Sequence, residues 1–191
     1  MFGDCSDTTN LASVCMFKSG KTLPKSAESD EGDYLYAKVG DLNLPGNEKR
    51  LIASRCYVSK ETAGKSVIPA GAVCFPQRGG AIGTNKKRMI AEDCCLDLNL
   101  MAVIPGPRIT SEYLLAYFEQ KDLAEISNGS TVPQINNKDL EPLQIAVPSM
   151  VRQQQFADFV AKVDKLEFSK QKANRKRQCH QIRLTRFVFS L

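Results

Sequence analysis

Apolar residues along the chain gather in short runs separated by glycine and proline breaks, and two segments show helical spacing. Tyr34 to Val39 alternates and is rich in β-forming residues. Ile68 to Pro76 is a turn feeding a short apolar run, and Asn99 to Ile104 is apolar up to the stop Pro105-Gly106-Pro107. These predict strands, as does Leu143 to Val147, closed by Pro148. Residues 8–18 form a further short apolar element. Residues 51–58 and 66–68 are weaker strands, and Met89-Ile90-Ala91 leads out of a glycine-rich loop. Thr110 can cap a helix over Ser111 to Ile126, with Tyr113, Leu114, Tyr117, Phe118 and Ala124 as its buried stripe and Ser127-Asn128-Gly129 as its end. Asn137 to Leu140 reads as one helical turn. The pattern predicts an α+β body, compact, mixed and β-rich, with short antiparallel strands.

The second helical segment follows Pro148. Ser149 is a suitable N-cap, and neither Pro nor Gly interrupts the residues after it. Phe156, Phe159, Val160, Val163 and Leu166 recur at steps of three and four, which places them on one stripe. A single helix over 152–187 is roughly 54 Å long at ~1.5 Å per residue. A rod of that length needs something to lean on, so the division expected is a domain at 1–148 and a long pairing helix at 149–191. On the heptad of Phe156, Phe159, Val163 and Leu166, the next core places fall on Lys170, Ala173, Arg177 and His180, a polar seam before Ile182 and Leu184 resume the apolar pattern.

Charge sharpens this division. The chain carries a formal +5, and residues 152–186 hold ten Lys or Arg against three acids, which leaves the remainder at −2. Such density marks a solvated face or a surface kept for a polyanion or an acidic partner. At 42% hydrophobic residues the body has enough for a core. No stretch approaches the ~20 apolar residues that span a bilayer, and the start Met-Phe-Gly-Asp-Cys has no signal-peptide pattern, so a cytoplasmic location is expected. Seven cysteines without a C-x-x-C pair suggest neither a disulfide framework nor a zinc site. Cys15, Cys56 and Cys74, among apolar neighbours, read as small buried residues.

Enzyme chemistry is hard to assemble. The only histidine, His180, lies in the basic arm, so no Ser-His-acid or Cys-His set forms in the body. Gly79-Gly80-Ala81-Ile82-Gly83 lacks the Lys-Ser/Thr pair that would make it a phosphate cradle. What remains is a loop in which Arg78, Lys86, Lys87 and Arg88 bracket glycines, with Thr84 and Asn85 between them. Small and basic residues of this kind let backbone approach a polyanion, and their side chains grip phosphates and read base edges. The same loop also reads as a soluble hairpin. Ser130, Thr131, Gln134 and Asn136 pose that choice with less charge.

Taken in order, these stretches resemble a target-recognition half of a type I restriction–modification specificity subunit. The resemblance rests on Phe17-Lys18-Ser19-Gly20-Lys21-Thr22-Leu23-Pro24, on the strand ending in Gly40-Asp41-Leu42, and on the hairpin Gly71 to Gly83 with Thr84-Asn85-Lys86-Lys87-Arg88. It also rests on Gly129-Ser130-Thr131-Val132-Pro133-Gln134-Ile135, and on Ile145-Ala146-Val147-Pro148 running into Gln154-Gln155-Phe156-Ala157-Asp158-Phe159-Val160. It implies a non-catalytic chain that reads one half of a bipartite double-stranded DNA site. Its long helix would pair as an antiparallel coiled coil that sets the spacing. A docked methyltransferase subunit would supply S-adenosylmethionine and flip the target adenine, with no cofactor in this chain.

The resemblance leaves open whether a restriction subunit joins. A full subunit has two such halves and this chain has one, so a homodimer reading a gapped palindrome is the simplest arrangement. The residues expected to face DNA are Lys21, Thr22, Lys38, Arg78, Thr84, Asn85, Lys86, Lys87 and Arg88, with Ser130, Thr131 and Gln134 as a second group. Phe156, Phe159, Val163 and Leu166 would hold the arm's partner. The rival reading is a coiled-coil assembly protein with only non-specific DNA affinity; an enzyme of unknown type comes third.

Overall fold

The structure is a computed structural model, and it describes residues 8–129 and 131–166. The chain divides into two units, Met1–Met150 and Val151–Leu191. Among its described residues the first contains ten strands: β1 (Thr8–Asn10), β2 (Cys15–Ser19), β3 (Tyr34–Ala37), β4 (Arg50–Leu51), β5 (Tyr57–Val58), β6 (Val73–Pro76), β7 (Arg88–Ile90), β8 (Cys94–Leu96), β9 (Leu100–Pro105) and β10 (Gln144–Ala146). Its helices are short: α1 (Lys60–Ala63), α2 (Ser111–Glu119), α3 (Leu123–Ile126) and α4 (Asn137–Leu140). The α+β expectation holds.

A five-stranded sheet runs in the order β2-β9-β6-β7-β4, beside a three-stranded sheet β5-β3-β8 and a pair β1-β10. Pairing is mostly antiparallel, as the pattern predicts, but β4 with β7 and β3 with β8 are parallel. The centre of the large sheet is buried on both faces. Every residue of β6 is buried, and its alternation sends neighbours opposite ways. Cys74 enters a cluster with Ala37, Ala72, Cys94, Leu96 and Ala102, whose small residues let the two larger sheets approach. Phe75 packs instead against Phe118 of α2, the rings tilted by 39° with centroids 5.2 Å apart. The Tyr113 and Tyr117 hydroxyls donate to the Ala146 and Gln144 carbonyls, at 3.1 Å each, and fasten α2 to β10.

Two of the sequence motifs have structural causes. Gly40-Asp41-Leu42 lies in a 3-10 turn whose buried Asp41 carboxylate accepts from the Lys38 amide at 2.9 Å and from Ser54 Oγ at 3.1 Å, while Leu42 enters the core. Gly20 passes so close to the turn after β8 that a Cβ there would lie 2.0 Å from the Asp97 carbonyl oxygen. Only glycine fits.

Several elements depart from expectation. Residues 51–58 hold only the last residue of β4 and the two-residue β5, with α1 following. The helix expected over Ser111 to Ile126 is two helices, because Asp122 caps a new start by accepting from the Ala124 amide at 2.9 Å. Leu123, not Ala124, is therefore the buried residue there. β8, flanked by acids and built on two cysteines, had no strand signal. Cys15 and Cys74 are buried as expected, whereas Cys56 is half-buried.

A helix starts directly after Ser149 and runs over residues 150–166, all but Met150 in the second unit. Phe156 and Val163 are half-buried, while Phe159 and Leu166 are each 63% exposed. The polar seam, His180 and the rest of the expected arm lie outside the described residues. Among the described residues no helix is long and apolar enough to cross a membrane.

Gly20→Ala forces a backbone shift between the 20–24 loop and the Asp97 turn. It should destabilise the fold by about 1–3 kcal/mol, seen as a lower urea midpoint at unchanged m-value.

Candidate nucleic-acid interface

Strand β6 delivers the chain to Gln77, a buried residue to which the sequence reading assigned no role. Its amide Nε2 donates to the carbonyls of Leu98 (2.6 Å) and Leu100 (3.1 Å), and its Oε1 accepts from Ser19 Oγ at 3.1 Å. Its backbone N–H reaches the Asn99 carbonyl, and its carbonyl accepts from the Ile135 amide at 3.0 Å. The only hint in the sequence is a polar side chain directly after a wholly apolar run.

From this anchor the loop 78–87 leaves the sheet. Arg78 is extended and exposed, and its backbone bridges to Gln134. Gly79 has φ +66°, which favours glycine, and donates to the Pro133 carbonyl at 2.8 Å. Gln134 in turn bonds Asn128 through both backbone groups. The 78–88 loop and the 130–134 segment, read separately from the sequence, are thus bonded to each other through Arg78 and Gln134, with Thr131 exposed in the second segment. Ser130 lies outside the described residues. Gly79–Thr84 then forms a 3-10 turn in which Gly80, Gly83 and Thr84 are exposed. A Cβ at Gly80 or Gly83 would meet nothing within 4 Å, and neither has positive φ. Packing inside this chain does not require glycine at either place.

The basic end of the loop is corrected by the structure. Lys87 was expected to face DNA; it is 6% exposed, and its ammonium donates to Asn85 Oδ1 and the Lys121 carbonyl, both at 2.6 Å. Burial holds its pKa below the ordinary lysine value, offset by the nearby Asp122 and Glu119 carboxylates. Arg88 was expected to do the same, but its guanidinium donates to the Lys87 (2.8 Å) and Leu42 (3.1 Å) carbonyls, and its Nε is buried without a hydrogen-bond partner. These two charges are used inside the protein. Asn85 is exposed as a residue, yet its Oδ1 also accepts from the Leu123 amide at 3.0 Å. Lys86 is half-buried and donates to Asn43 Oδ1.

Lys21, Thr22 and Lys38 form a second locality. Thr22 and Lys38 line an open cleft of about 720 Å³ with Tyr36, Asp97 and Asn99, and Lys21 is exposed beside it. The turn carrying Asp97 and Asn99 is the one that Gln77 grips, so both localities border one stretch of backbone. The Lys38 ammonium lies 2.6 Å from Glu28 Oε2 and 5.4 Å from the Tyr36 ring centroid. A phosphate here would have to compete with Glu28.

Among the described residues the cysteines offer no ready nucleophile. Burial pushes the Cys15 thiol to about 11 and the Cys74 thiol to about 12, and raises Cys94 as well. Among the described residues no cluster of His, Cys, Asp and Glu is placed to hold a metal.

This is an α+β domain whose bonded loops present a polar, partly basic edge. The model of the type I restriction modification DNA specificity domain matches residues 6–175, and the chain belongs to that family. It is 36% identical over 146 residues to the specificity subunit of the type I restriction enzyme MjaIX of Methanocaldococcus jannaschii, covering 74% of this chain and 31% of that one. The fold recurs in solved structures. A chain of an assembled type I R-M system aligns with a TM-score of 0.71 at 20% identity, covering 93% of this chain and 43% of that one. The HsdS subunit of Thermoanaerobacter tengcongensis gives 0.59 at 18%, covering 84% and 37%. The S subunit of M. genitalium gives 0.59 at 15%, covering 85% and 40%. The chain thus spans less than half of each of these relatives.

The Glu28–Lys38 pair has a defined pH window. The Lys38 hydrogen bond holds the Glu28 carboxyl below its ordinary 4.5, and the same bond holds Lys38 above its ordinary 10.5. Its contribution is therefore present between those values, is lost as pH falls through the depressed Glu28 pKa, and is lost again as pH rises through the raised Lys38 pKa. In Lys38→Met, carboxyl NMR should show the Glu28 titration moving up toward the ordinary range; an unmoved midpoint would mean the pair is not formed in solution.

Proposed function

We propose that this chain is a sequence-recognition subunit of a type I restriction–modification complex, reading one half of a bipartite duplex site. The observation that carries the reading is the loop edge at Arg78 to Thr84. It is bonded at its base and exposed at its tip, and Gly80 and Gly83 leave room that this protein does not itself fill. Glycines without an internal cause beside an exposed arginine suit close approach by a phosphate backbone, with Arg78 free to pair with a guanine edge. Exposed Thr84 and Thr131 and half-buried Gln134 add hydrogen-bonding groups on these two bonded segments, with the Thr84 hydroxyl already donating to the Ala81 carbonyl at 2.7 Å. Membership of the specificity-domain family, and likeness to a curated specificity subunit, support recognition rather than catalysis as the role.

The remaining parts of the proposal follow from what a specificity subunit serves. A methyltransferase subunit docks on this chain, carries the S-adenosylmethionine and modifies the adenine. The uncovered Phe159 and Leu166 on the 150–166 helix give a second copy of the chain, or a second half, an apolar stripe to cover, and the long helix sets the distance between half-sites.

Selection from a random duplex library, with the methyltransferase subunit present, tests the reading. A gapped palindrome supports recognition by a two-fold pair, and a gapped asymmetric motif supports pairing with a different half. No enrichment favours an assembly protein with general DNA affinity. On an enriched duplex, Arg78→Ala should cost about 1–3 kcal/mol and relax choice at one base pair. Equal weakening on all sequences, with the salt slope reduced by about one, would make Arg78 a phosphate contact instead. Gly80→Ala and Gly83→Ala should leave stability unchanged or raise it by about 0.4–1 kcal/mol, yet weaken DNA binding by about 1 kcal/mol or more.

A further inference from the structure

Segments 77–88 and 121–135 are bonded to each other at both ends. At one end lie the Arg78–Gln134 bridge and the Gly79 and Ile135 amide bonds. At the other end Asn85 takes a left-handed conformation, φ 55°, the one positive φ outside glycine among the described residues. That conformation turns the chain out of the 3-10 turn and brings Oδ1 within 3.0 Å of the Leu123 amide, the first of helix α3. The same oxygen accepts from the Lys87 ammonium, which also donates to the Lys121 carbonyl just before α3. One oxygen and one ammonium therefore tie the end of the loop, just before strand β7, to the corner between α2 and α3. A lysine kept for phosphate holds its ammonium in solvent; this one is withdrawn from it.

We propose that Asn85 and Lys87 are positioning residues: together they lock the loop 79–86 to the α2–α3 corner, and this lock determines how sharply the loop discriminates between DNA sequences. The second half of that statement rests on the recognition reading above; the first does not. A loop held at one end only samples several arrangements, and each lets a different set of bases be tolerated. Held at both ends, it presents Arg78 and Thr84 in one arrangement and meets only the sequence that matches.

Three variants separate the effects. Asn85→Gly keeps the left-handed backbone free of strain and removes the acceptor. Asn85→Asp keeps an acceptor for both donors. Lys87→Met removes the ammonium and keeps most of the apolar stem. Amide hydrogen exchange on the full chain without DNA should rise about tenfold across 79–86 in Asn85→Gly and Lys87→Met, the scale of one buried charge-assisted hydrogen bond. Asn85→Asp should restore protection. On enriched against scrambled duplexes with the methyltransferase subunit present, the affinity ratio should fall about tenfold in the first two variants, with the salt slope unchanged.

Unchanged exchange in both Asn85→Gly and Lys87→Met would overturn the lock. So would a salt slope lower by about one in Lys87→Met, since that marks a lost phosphate contact. Exchange raised evenly over the whole body, without rescue by Asn85→Asp, would reduce both residues to general fold stability. If the loop loosens as expected but the unaltered chain enriches no duplex, the lock stands and its role in discrimination falls with the recognition reading.

Discussion

The structure depends on one buried amide. Gln77 stands where the central strand of the large sheet ends and the exposed loop begins, and a polar side chain there is tolerated only if its groups are bonded. They are: the amide nitrogen reaches two carbonyls of the 98–100 turn, the amide oxygen takes the Ser19 hydroxyl, and both backbone groups pair with neighbouring segments. A loop leaving a wholly buried strand through such a joint inherits the rigidity of the core. With its far end tied at Asn85 and Lys87, it projects several residues into solvent without losing its place.

Around that joint, charge and space are divided in a consistent way. Cations inside the loop's base, at Lys87 and Arg88, are engaged with backbone carbonyls and hold segments together. Cations at the edge, at Arg78 and Lys21, stay exposed. Glycine follows the same division. Gly20 is required by a neighbouring carbonyl and Gly79 by its backbone angle, whereas Gly80 and Gly83 face open space. A body with a net charge of −2 outside the basic arm does not attract DNA over a broad face. It suits a few local contacts whose geometry is fixed beforehand, with the arm and a partner supplying general affinity.

The main strands were legible because their signal is local: the β-forming residues of Tyr34 to Ala37, the apolar run Val73 to Pro76 and the stretch Leu100 to Pro105 each carry their own. The capped start of α2 was legible for the same reason. The break at Gln120 to Asp122 was not, because an apolar period continues across it and the new start depends on one aspartate. β8 was hidden because two cysteines between acids resemble a loop until the partner strand β3 is in place. In the site, Arg78 and Gln134 were each visible but their adjacency was not, being a tertiary bridge over fifty-six positions. Lys86, Lys87 and Arg88 look equivalent in sequence. Only the Lys121 and Leu42 carbonyls, far away along the chain, decide which of them turn inward.

The most direct test of the central claim is a hydrogen-exchange footprint of an enriched duplex on the chain, in the presence of its methyltransferase subunit. The account predicts added protection at 78–84 and 131–134, with the β5–α1 region at 57–63 unchanged. Protection absent from 78–84 and found instead only along the 150–166 helix would contradict it, since DNA would then be held by the arm and not read by the loop.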